Sequence, residues 1–65
     1  MEEFVEQFVN VFSEQGISQY GVILSTIHGH LCEIYKNSGK CGFEIETMAC
    51  EIAIRVMLRM NNING

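Results

Sequence analysis

The chain is 65 residues long, 48% hydrophobic and 18% charged, has no proline or tryptophan, and carries a formal net charge of −4. That length holds one domain, and the apolar content excludes a disordered segment, which needs low hydrophobicity and high net charge. Lys36, Lys40, Arg55 and Arg59 are the only cations, so there is no basic surface to neutralise phosphates, and general nucleic-acid binding is excluded.

Residues 2–15 place Phe4, Val5, Phe8, Val9 and Phe12 on one helical face, with Glu3, Glu6, Gln7, Asn10 and Glu14 covering much of the other. The spacing predicts a first helix over 3–15, ended by Gly16 in the left-handed conformation. Most of the net negative charge sits at this end, in Glu2, Glu3, Glu6 and Glu14, where acids complement a helix N-terminus. The opening MEEFVEQF has neither the basic start nor the apolar run of a signal peptide, and the uncharged stretch 15–32 is too polar for a membrane span. Cys32, Cys41 and Cys50 make an odd count, which points to free thiols in a reducing compartment. The expectation is a cytoplasmic chain without a membrane partner.

A second helix is predicted over 19–37, with Ser18 as N-cap and Ile17 and Val22 as a hydrophobic staple. Tyr20, Leu24, Ile27, Leu31 and Ile34 repeat by fours and threes, the pattern of a helix packed on other helices. The β-branched residues Val22, Ile23, Thr26 and Ile27, with Gly21 and Gly29, lower helix propensity and keep a strand open within 22–46. Gly29 is also a point at which a neighbouring helix would approach closely. Asn37, Ser38 and Gly39 supply the stop.

The third helix, over 43–61, has one polar stripe, Glu44, Thr47, Glu51, Arg55 and Arg59, and is apolar almost everywhere else. Such a helix is buried on several sides, and two partner helices from a short chain leave part of it uncovered. This predicts a homodimer through the third helix, with Ile52, Val56, Met57 and Met60 as the self-association surface. Residues 62–65 read as a flexible tail. The expected fold is all-α, an antiparallel bundle of three helices completed by homodimerisation.

Chemically capable side chains cluster only in "IHGHLC", residues 27–32. On a strand, His28, His30 and Cys32 would share one face, and a hairpin through "NSGK" would bring Cys41 to them, a donor set suited to tetrahedral zinc. On a helix, His28 and Cys32 share a face beside the packing stripe and His30 points to solvent. The heptad-like spacing favours the helix and therefore no metal or other cofactor. No Ser/His/Asp or Gly-rich phosphate motif accompanies the histidines, so no catalytic residues are assigned. Glu51 and Arg55 suit an i, i+4 ion pair, and Arg59 suits the negative end of the helix dipole. Arg55, Arg59, Tyr20 and His30 are the candidate partner or ligand contacts.

The function expected from this sequence is that of a small non-enzymatic interaction protein that binds and modulates another protein, as an inhibitor. The grounds are surplus apolar helix surface and an acidic first helix. The alternatives are a small-ligand or anion receptor built at a subunit interface and, behind it, a zinc protein.

Overall fold

Three helices, α1 (Glu2–Gln15), α2 (Tyr20–Tyr35) and α3 (Gly42–Asn64), account for the fold in a computed structural model that describes residues 2–40 and 42–64, the side chains of 62–64 excepted. The described residues contain no strand, so the extended alternative for His28, His30 and Cys32 is overturned: all three lie in α2. α3 continues to Asn64, through most of the segment expected to be a tail. At 23 residues it is about 34 Å long, most of the 39 Å long axis of the molecule.

α3 is the shared element of the bundle, packing against both α1 and α2, which touch each other only slightly. α1 buries Val5, Val9 and Phe12, α2 buries Ile23, Ile27 and Leu31, and α3 buries Ile45, Ala49, Ile52, Ala53, Val56 and Met60. Each set recurs by threes and fours, as one helical face requires. No polar or charged residue is buried among the described ones, so the core holds by apolar burial alone, about 1.5–3 kcal/mol for each large side chain removed from water.

The α1–α2 connection is closed by backbone hydrogen bonds. Gly16 adopts φ 69°, the predicted left-handed position, and its N–H donates to the Ser13 carbonyl while the Ile17 N–H donates to the Phe12 carbonyl. This is the paired 5→2 and 6→1 arrangement of a Schellman cap, and Ile17 packs against the cluster containing Phe12, its hydrophobic accompaniment. Gly39, at φ 79°, serves the second connection in the same conformational class. There the Ser38 hydroxyl and N–H both donate to the Tyr35 carbonyl, at 2.9 and 3.1 Å, satisfying an orphan acceptor at the end of α2.

Two expectations for α2 need correction. Its N-cap is Gln19, in an extended conformation and without a side-chain cap bond, rather than Ser18. The Ile23 N–H bonds the Gln19 carbonyl, so the first α-helical turn starts one residue later than Ser18 capping would require. The buried face is also rotated: Ile23, Ile27 and Leu31 are fully buried and Leu24 partly, whereas Tyr20 and Ile34 are exposed. α2 is apolar over more than one face, so two overlapping stripes satisfied the periodicity, and contact with α3 selects one of them.

Candidate functional site: the α2–α3 groove

α2 and α3 leave an open groove of about 690 Å³ between them, with Leu24, Ser25, His28 and Gly29 on one wall and Phe43, Glu46, Thr47 and Cys50 on the other. This is within the size range of ligand-binding clefts, and its walls are mainly apolar. Gly21, Ser25 and Gly29 follow at i, i+4 and i+8, so they share one side of α2. A Cβ built on Gly21 or Gly29 would meet nothing within 4 Å. The expected close approach of a helix at Gly29 is therefore absent within the chain, and Gly29 opens onto the groove instead.

Beside the groove, the outward face of α3 carries Phe43, Thr47, Cys50, Ile54 and Leu58 at helical spacing, all exposed. Phe43 retains 76%, Ile54 52% and Leu58 60% of full exposure. Among the described residues these are the largest exposures of bulky apolar side chains, and they line one helix side opposite the core. Ile52, Val56 and Met60, expected at a self-association surface, are buried in the chain's own core, and Met57 is partly buried against it. They are committed to α1 and α2. The uncovered apolar surface of α3 is the opposite side.

The His/Cys cluster is arranged by helix geometry. His28 and Cys32, one turn apart, are both half-buried, with the Cys32 sulfur 3.7 Å from Nδ1 and 3.9 Å from Nε2 of His28. Near-equal distances place the sulfur away from the outward directions of both nitrogens, which diverge across the ring. The contact is sulfur–ring packing rather than a thiol aligned with a base. His30 is exposed but not free: its ring stands edge-on to Phe4 and Phe8, at 5.8 and 5.5 Å between centroids. Phe4, Phe8 and Phe12 stack in turn along α1, making His30 the α2 partner of an aromatic ladder. Among the described residues no group of three His, Cys, Asp or Glu side chains could hold a metal ion, and Cys41, the fourth member of the zinc alternative, lies outside them.

Arg55 and Arg59 part company despite their i, i+4 spacing. Arg59 is half-buried and ion-paired with Glu2 and Glu6, so it fastens the first turns of α1 to the far end of α3. The acidic start of the chain is thus partly matched by a cation 57 residues away, a pairing that no local pattern announces. Arg55 is exposed and makes no ion pair among the described residues, and the expected Glu51–Arg55 pair is not formed. Tyr20 is exposed near the start of α2, and neither arginine nor Tyr20 nor His30 lines the groove. The four candidate contacts do not form one site there. Sequence reasoning missed the groove itself, whose only signal was the run of small residues Gly21, Ser25 and Gly29.

No helix among the described residues is long and apolar enough to cross a membrane. Comparison with protein-family models, curated proteins and solved structures finds no match.

Proposed function

We propose that this chain is a small non-enzymatic interaction protein that binds and modulates another protein, using the α2–α3 groove and the outward stripe of α3. The observation that carries this reading is the juxtaposition of a mainly apolar groove with the exposed side chains Phe43, Ile54 and Leu58. Surfaces of this kind, apolar at the centre and rimmed by charge, are where polypeptides dock. Glu44, Glu46, Glu51 and Arg55, all exposed, supply the rim. An amphipathic helix laid in a groove is the recognition mode that such a surface fits.

The test is recovery of bound protein from an extract of the source organism, with tagged wild-type chain and the Ile54→Glu and Leu58→Glu variants as baits. A partner retained by wild type and lost from both variants is the expected result. The same partner bound equally by all three baits would place recognition elsewhere and overturn the reading. Arg55→Glu, at the rim, should weaken recovery without abolishing it.

A further inference from the structure

We infer that the α2–α3 groove is a binding site for a small amphiphilic amine, an apolar body carrying one protonated nitrogen that Glu46 receives. The inference goes beyond the partner protein proposed above and does not rest on it. The groove has the volume of a small-molecule site, about 690 Å³, and its walls are mainly apolar with a few polar groups set among them, the usual make-up of such sites. Gly29 keeps it open. A Cβ there would meet nothing within 4 Å, so a ligand can lie directly on the α2 backbone, with Leu24 and the exposed ring of Phe43 to cover its apolar part.

The polar lining chooses the charge of the ligand. Glu46 brings the one carboxylate that lines the groove, and it makes no ion pair among the described residues. The cations of the chain are placed elsewhere: Lys36 is paired with Glu33, Lys40 with Glu44, and Arg59 with Glu2 and Glu6. Arg55 follows Glu46 by nine residues, which sets it about 14 Å along the axis and on the opposite side of α3, beyond the reach of its side chain.

The remaining polar groups of the lining are acceptors as well. The Thr47 hydroxyl already donates its proton to the Phe43 carbonyl, at 3.0 Å, which leaves its lone pairs to accept. A neutral His28 ring offers one nitrogen acceptor and the Ser25 hydroxyl another site. An ammonium group, with three donors and no acceptor, matches such a lining, whereas a carboxylate or phosphate does not. The N-terminal end of α3, which would draw an anion, is already answered by Glu44 in its first turn. At longer range the net charge of −4 works in the same sense, attracting cations and repelling anions.

The experiment titrates the isotope-labelled full chain with phenylbutylamine, phenylbutanol and phenylbutyrate, read by backbone amide NMR shifts at low salt and about pH 8, where an ordinary imidazole is neutral. Saturable shifts centred on Leu24, Gly29, Thr47 and Cys50 are expected. The amine should bind about fivefold tighter than the alcohol, the gain of one exposed charge pair, and the carboxylate should bind most weakly. Glu46→Gln should bring the amine down to the level of the alcohol without moving the alcohol itself. Gly29→Leu, which fills the groove, should abolish binding of all three probes, and Ser25→Leu fills it from the preceding turn if the first variant loses its helical circular dichroism. The inference is overturned if the amine gives no saturable shifts at those residues, binds no tighter than the alcohol, or binds Glu46→Gln as well as wild type. Binding that survives in the filled grooves overturns it too. None of these readouts uses the partner protein, whose loss is read from Ile54→Glu and Leu58→Glu outside the groove, so the two readings fail separately.

Discussion

The two sides of α3 both carry large apolar side chains and have opposite fates. The inner side, Ile45, Ala49, Ile52, Ala53, Val56 and Met60, is covered by α1 and α2, and small alanines alternate with larger side chains so that two helices can approach at once. The outer side, Phe43, Thr47, Cys50, Ile54 and Leu58, is as rich in large apolar groups but meets only the edge of α2. The lesson is that hydrophobicity alone does not say which side of a helix is core. Two short helices provide enough surface to cover one side of α3 and leave the other uncovered.

Truncating matched residues on the two sides of α3 should have very different costs. Ile52→Ala should destabilise the fold by about 2–5 kcal/mol in urea unfolding, because it removes a fully buried side chain. On a 65-residue domain that is a large fraction of the total.

Gly29→Ala probes the boundary between the sides. The position is helical, its φ is not positive, and the added methyl meets nothing, so the variant should be more stable by about 1 kcal/mol through helix propensity. Loss of thermal stability instead would mean that the groove is closed in solution. Arg59→Ala removes the pairs to Glu2 and Glu6, both well exposed, and should cost up to about 1 kcal/mol at low salt and less at high salt. A salt-independent loss would show that the arginine stem, rather than its charge, holds α1. Ile54→Ala, measured at a concentration where the chain is monomeric, should stay within about 0.5 kcal/mol of wild type. A cost near that of Ile52→Ala would erase the distinction between the two sides.

Much of this architecture was legible in the residue order. The phenylalanine–valine face of α1, Gly16 as its terminator and the stop at Asn37, Ser38 and Gly39 all follow from local rules, because each signal acts within a turn or two of itself. α2 was harder: nine apolar residues between Tyr20 and Tyr35 satisfy two stripes, and only tertiary contact chooses Ile23 over Tyr20 and Ile34. For α3, all-round apolarity announced a surplus surface but pointed to Ile52, Val56 and Met60, the strongest stripe, which the core had already claimed. Least visible were the groove, which depends on how two helices diverge, and the Arg59 clamp, which joins residues 57 positions apart.

That clamp also has a kinetic meaning. A contact spanning 57 residues forms only when α1 has docked on the rest of the chain, whereas the α2–α3 pair closes over a short connection and is favoured to assemble first. Interactions made after the folding barrier govern escape from the native state rather than entry into it. The ion pairs between Glu2, Glu6 and Arg59 therefore act as a latch: raising salt should hasten unfolding of the chain while leaving the speed of its refolding nearly untouched.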